Sequence, residues 1–116
     1  MSAFTASLDP NHLVALLTQQ RDLYQQLRTL SDRQRALIAG NEPDTLIDLL
    51  ARRGKIVTTL TELNERLGPY RRQWDDMYAA LPEAHRAQAS ALLQEVNGLL
   101  RVIIKTDHED GALLAA

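Results

Sequence analysis

The chain has 116 residues, a formal net charge of −2 and no cysteine, with 45% apolar but only 4% aromatic residues. One domain with a real core fits that length, whereas a disulfide scaffold, a Cys-ligated zinc site, an iron–sulfur site and a cysteine nucleophile are ruled out. The mild acidity lacks the electrostatic footprint of a nucleic-acid binder, and frequent Leu beside 24% charged residues argues against disorder.

Met1 to Leu8 carries no Lys or Arg and no long apolar run, so no secretory signal is expected. No stretch has the apolar length of a membrane span, which makes a soluble cytoplasmic protein the default expectation. Asp9-Pro10 reads as an N-cap followed by proline at the first helical position. A helical pattern then runs from 10 to 39, with Leu13, Leu16, Gln20, Leu23, Leu27, Leu30, Gln34 and Leu37 spaced alternately three and four apart. Gly40-Asn41 is a stop, with Gly suited to the left-handed position after a helix.

Asn41-Glu42-Pro43-Asp44 reopens a helix with a cap, an early proline and acids near the positive end of the dipole. The second helix is expected over 43–80. Its seam is Leu46, Leu49, Arg53, Ile56, Leu60, Leu63, Leu67, Tyr70, Trp74, Met77 and Leu81. Gly68-Pro69 interrupts that segment, and an internal proline costs about 3 kcal/mol or more. The heptad phase nevertheless passes through it unchanged. We expect a kink at 68–69 in one long helix; the competing reading is a break, with Gly68 ending one helix and Pro69 starting another. Tyr70, Trp74 and Tyr78 cluster just beyond it, so the thickest part of the core is expected there.

Leu81-Pro82-Glu83 is the next break, because the residue before a proline is pushed out of helical geometry. The third helix is expected over 83–106, with Ala89, Leu92, Val96, Leu99, Ile103, Thr106, Asp110 and Leu113 in phase. Residues 107–116 are expected as a flexible tail, because Asp107, Glu109 and Asp110 crowd the negative end of the helix dipole. Sustained three-four spacing is the seam of coiled-coil-like packing. The expected fold is all-α: one domain over 1–116, an elongated antiparallel three-helix bundle with short connections.

Chemistry is sparse. His12, His85 and His108 stand in no metal-ligand spacing and read as surface or helix-end polar residues. An all-helical chorismate mutase has about this length and needs cations converging on two carboxylates. Arg28, Arg53 and Lys55 are the candidates, but an Arg at one seam position is better explained by snorkelling or by pairing with an acid. The five glycines form no phosphate-cradling loop. No enzyme activity, cofactor or metal is expected. Basic clusters at Arg33/Arg35, Arg52-Arg53-Lys55 and Arg71-Arg72 have acids nearby and read as solvated faces.

Apolar surface is the remaining signal. In the third helix Leu93, Leu100 and Ile104 widen the seam to a stripe of roughly 140° at 100° per residue. Packing against both other helices explains much of that width; a face open to a partner helix is the alternative. Gly98, in the same helix, reads either as a site of close helix approach or as a loosening of the segment.

The arrangement resembles the FlgN-type flagellar export chaperones. The first helix ends in Leu37-Ile38-Ala39-Gly40-Asn41. The next opens with Leu46-x-x-Leu49-Leu50-x-x-Arg53-x-x-Ile56, followed by Leu60, Leu63, Glu65 and Arg66. The third carries Leu92-Leu93-x-Glu95-Val96-x-x-Leu99-Leu100, then Asp107-x-x-Asp110 and Leu113-Leu114. The resemblance covers about residues 10 to 114, and Gly68-Pro69 departs from the family's second helix. It implies a non-enzymatic cytoplasmic type III secretion chaperone. Such proteins bind the terminal amphipathic helices of hook–filament junction proteins, prevent their premature assembly and deliver them to the export apparatus. By position, the protein-binding residues would be Val96, Leu99, Leu100, Ile103, Ile104, Leu113 and Leu114. No nucleic acid and no membrane insertion is implied, and a homodimer is left open. The alternative is a structural helical-bundle module whose stripes bury only its own helices or an identical copy.

Overall fold

The computed structural model describes residues 9–115, with side chains described through Gly111. It contains four helices: α1 Pro10–Ala39, α2 Pro43–Arg72, α3 Trp74–Ala80 and α4 Glu83–Ala115. The described residues are almost entirely helical and pack as a bundle, about 58 Å along its longest axis. No described helix is long and apolar enough to cross a membrane.

α1 starts as its sequence dictates. Asp9 is extended, and its carboxylate accepts a hydrogen bond from the Asn11 amide at 2.9 Å. The other end differs from expectation. Gly40 is right-handed (φ −82), and Asn41 takes the left-handed position at φ 53. The Glu42 amide reaches Leu37 O at 3.1 Å, and the Asn41 amide reaches Ile38 O at 3.2 Å. Those two bonds are a Schellman closure with Asn41 as its pivot. Asn tolerates this backbone better than other non-glycine residues do. The N-cap of α2 is therefore Glu42 rather than Asn41, and its side chain makes no capping bond.

α2 runs through Gly68-Pro69 without the break of the competing reading, but it ends at Arg72 rather than continuing to 80. The proline sits inside the helix, and the interruption comes four residues later, at Gln73 (φ −119, ψ 28). The Gln73 amide bonds Arg71 O instead of continuing the helical ladder. Leu67 and Tyr70, buried on either side of Pro69, hold this stretch against the core. That packing outweighs the one backbone bond the proline removes. Beyond Gln73, Trp74 and Tyr78 stack at 5.5 Å and pack with Met77 on the same core. Leu81, extended as the residue before Pro82 should be, is buried beneath them.

α4 also overrides an expectation. It does not end near 106 in a flexible tail but stays helical to Ala115. Two of the three acids that argued for fraying have cationic partners: Asp107 pairs with Arg53 of α2, and Glu109 with Arg35 of α1 at 2.8 Å, while Asp110 is buried and meets only Gln34.

α1 is the central helix. It packs along both α4 and α2, which approach each other much less. Links between α1 and α4 keep a nearly constant offset (Asn11 with His85, Arg21 with Glu95, Gln34 with Asp110), so the two run parallel. Links from α1 to α2 reverse in order (Gln20 with Asn64, Gln34 with Arg53), so these two run antiparallel. The larger core cluster joins Leu13, Leu16, Leu17, Leu63, Leu67, Tyr70, Leu81, Ala89 and Leu92 at the α3 end. A smaller one joins Leu27, Leu60 and Ile103 further along.

Candidate binding surface

The residues expected to bind a partner separate into two groups. Val96 and Ile103 are buried in the bundle, which corrects their assignment to an open surface; Ile103 packs with Leu27 of α1 and Leu60 of α2. Leu99 and Leu100 are half-buried. Ile104 is 64% exposed. The side chains of Leu113 and Leu114 lie outside the described residues. Gly98 has open space around it, with nothing within 4 Å of where a Cβ would stand, so it mediates no close helix approach within the bundle.

Below Ile104 the core turns polar. Arg53 Nη1 and Nη2 donate to the two Asp107 oxygens at 2.9 and 2.7 Å, and Nη1 also donates to Gln34 Oε1 at 2.6 Å. Gln34 Nε2 donates to Asp110 Oδ2 at 3.3 Å. Ser31 Oγ makes a long contact with Asp107 Oδ1 at 3.5 Å. Asp110 and Ser31 are each only 1% exposed, and Asp110 Oδ1 has no hydrogen-bond partner. Burial pushes the Asp110 carboxyl above the usual carboxylate range. Arg35 and Arg53 pull it back down, while Asp107 and Glu109 add to the rise. Gln34, Arg53 and Asp110 were all placed on the seams by spacing; the layer they build with Asp107 is visible only in three dimensions.

The cations an enzyme would recruit do not converge. Arg53 is engaged by Asp107 and Gln34 inside the bundle. Lys55 lies almost on the opposite flank of α2, where it lines a groove against α1 with Gln26, Thr29, Leu30, Arg52 and Ile56. His85 Nε2 lies 2.8 Å from Asn11 Oδ1, and its buried Nδ1 has no hydrogen-bond partner.

The Arg53–Asp107 pair also fixes what lies above it. One turn along antiparallel α2 and α4 leads from Arg53 to Val57 and from Asp107 to Ile104. Both steps rotate away from the core. Val57, at 48% exposure, and Ile104 therefore border the open side between α2 and α4, with half-buried Leu100 behind. Sequence reasoning missed the α2 contribution. Ile47 and Leu50, 63% and 47% exposed, continue the outward apolar face of that helix. Their signal, a second three-four series displaced from the inner seam, was present but masked by the stronger one.

Comparison with known proteins adds no relative: no family model, no curated protein and no solved structure matches the chain.

Proposed function

We propose that the chain is a non-enzymatic binding module that covers an amphipathic helix of another protein. Its role, by the resemblance of its helix pattern, is that of a FlgN-type cytoplasmic export chaperone for hook–filament junction proteins. We read the bundle as three long helices, with α3 continuing α2 in phase. The observation that carries the reading is Ile104, a large apolar side chain left open on α4 beside Leu100, on the flank towards which the helical phase of α2 also turns the exposed Val57. An amphipathic helix laid there would cover all three and complete a fourth side of the bundle. Delivery to the export apparatus belongs to the same proposal, and the role asks for no nucleotide or metal.

The test is binding of a junction-protein carboxy-terminal peptide, followed by fluorescence anisotropy. Ile104→Asp and Leu100→Asp should each weaken it at least tenfold while the helical circular dichroism stays intact. Unchanged affinity in both variants refutes the site. Truncation before Asp107 is a poor alternative, because it removes the partner of Arg53 and disturbs the bundle as well as the surface.

A further inference from the structure

The outer face of α2 carries a complete second seam. Ile47, Leu50, Gly54, Val57 and Thr61 follow one another at three-four spacing, the same rule that builds the inner seam. At 100° per residue they fall within a sector of about 80°. Ala51 and Thr58 extend that sector to about 120°, and no charged residue between 47 and 61 falls inside it. Thr58 and Thr61 turn their hydroxyls onto the Gly54 and Val57 carbonyls at 3.0 Å, which satisfies them within the helix. Gly54 has open space where a Cβ would stand. Among the described residues Ile47, Leu50 and Val57 are left uncovered on this face, three of the most exposed large apolar side chains.

We propose that this face pairs with the same face of a second copy of the chain, as an antiparallel α2–α2 contact about a two-fold axis. Charge selects the arrangement. Asp48, Lys55 and Glu62 line one edge of the stripe at heptad spacing. In an antiparallel two-fold pair, equivalent edges lie beside each other. With Ile47 against the second copy's Val57, and Leu50 against its Gly54, Asp48 of each chain meets Lys55 of the other, twice by symmetry. Sliding one heptad one way sets Lys55 against Lys55 and Asp48 against Glu62. Sliding the other way sets Asp48 against Asp48. A parallel pair offers the stripe no ion pair, because its flanks would be Ala51 and Thr58 facing Leu46 and Arg53, and Arg53 is already held by Asp107. Only one register is complementary, and in it Leu50 fills the space that Gly54 leaves open.

The stripe is about 21 Å long at the standard helical rise. A contact of that size sits at the small end of specific interfaces, so the dimer is concentration-dependent rather than obligate. It shares Val57 with the proposed client surface, so the two occupants exclude each other there, but its test is run without any client and its failure is distinguishable from failure of the chaperone role.

The absence of cysteine in the sequence makes the test direct. Full-length chains carrying Ile47→Cys and Val57→Cys are oxidised separately and as a mixture, then run without reductant. The proposal expects cross-linked dimer chiefly in the mixture, several-fold above either variant alone. Sedimentation equilibrium is run alongside. Leu50→Glu should abolish association with the fold unchanged, Asp48→Lys and Lys55→Asp should each weaken it at least tenfold, and the two together should restore it. A chain that stays monomeric to millimolar concentration, equal cross-linking in each single variant, or a double charge reversal that fails to rescue would each overturn the proposal.

Discussion

Asp107 grips Arg53 through two parallel hydrogen bonds of 2.9 and 2.7 Å, joining α4 to α2, which it otherwise approaches far less closely than it does α1. The pair does more than add attraction. Sliding α4 by one heptad would bring Leu100 or Leu114 opposite a partly buried guanidinium, which no apolar side chain can satisfy. Arg53 therefore fixes the register of α4 against the rest of the bundle.

The first prediction follows from that role. Asp107→Ala leaves Arg53 with Gln34 alone and should cost about 1–2 kcal/mol, a modest figure because the pair is only partly buried. The loss should concentrate where the pair acts: amides after Thr106 should exchange faster, while those around Leu92 change little. Urea unfolding gives the total, and hydrogen exchange gives its location. Uniform acceleration along α4 would contradict the register role.

Asp110 acts in the opposite sense. Its carboxyl is almost fully buried with one oxygen unpartnered, and its folded pKa is raised, chiefly by that burial. The fold thus prefers the protonated acid. The stability this group contributes is full below its unfolded pKa of about 3.9 and is lost as pH rises through the folded value. Asp110→Asn removes the charge and keeps an acceptor for Gln34, so it should stabilise the chain at pH 7 by about 1 kcal/mol. The advantage should shrink as pH falls through the raised folded pKa and be gone by about pH 4, the unfolded value. Thermal melts of both chains across that range check it, and an advantage that grows on acidification would reverse the sign.

Much of this architecture was legible in the spacing. The bounds of α1, the Asp9 cap, the extended Leu81 and the seam positions Gln20, Gln34, Arg53 and Asp110 all follow from local rules read along one strand of text. What spacing could not supply was who stands opposite. The acids after Thr106 look like a fraying tail until Arg35 and Arg53 are seen beside them. Ile103 looks available until Leu27 of α1 and Leu60 of α2 are found packed on it. Pro69 sits inside α2, as the unbroken heptad phase implies, with Leu67 and Tyr70 anchored on either side. In the α4 tail and at Ile103 a tertiary contact overrules a local preference, whereas the Gly40-Asn41 turn departs from expectation through its own local hydrogen bonds.

Pro69 and Gly98 are helical positions where the local cost remains. Pro69→Ala restores a backbone donor toward the Glu65 carbonyl and removes the ring's clash with the preceding turn. It should stabilise by about 1–3 kcal/mol. Gly98→Ala meets open space and should add about 1 kcal/mol through helix propensity alone. The sites are far apart in sequence and share no contacts, so the gains should add in a double variant measured by urea unfolding. A destabilising Pro69→Ala would mean that the proline is required to set up the break at Gln73.

The α1–α2 turn offers a sharper contrast, because two adjacent residues should respond oppositely to the same substitution. Asn41 holds φ 53, where an ordinary side chain is strained by roughly 1–2 kcal/mol, whereas Gly40 is right-handed, where alanine is at home. Asn41→Ala should therefore destabilise by about 1 kcal/mol, and Asn41→Gly should not destabilise at all. Gly40→Ala should be neutral or stabilising: a Cβ there meets only the Ala36 carbonyl at 3.3 Å and the flexible Glu42 side chain. Reading Gly-Asn by habit, with glycine as the left-handed residue, gives the reverse ranking. Thermal unfolding of the three variants decides between the two assignments. If Gly40→Ala is the damaging change, the Schellman pivot lies at Gly40, and the helix closes one residue earlier than its Glu42–Leu37 hydrogen bond requires.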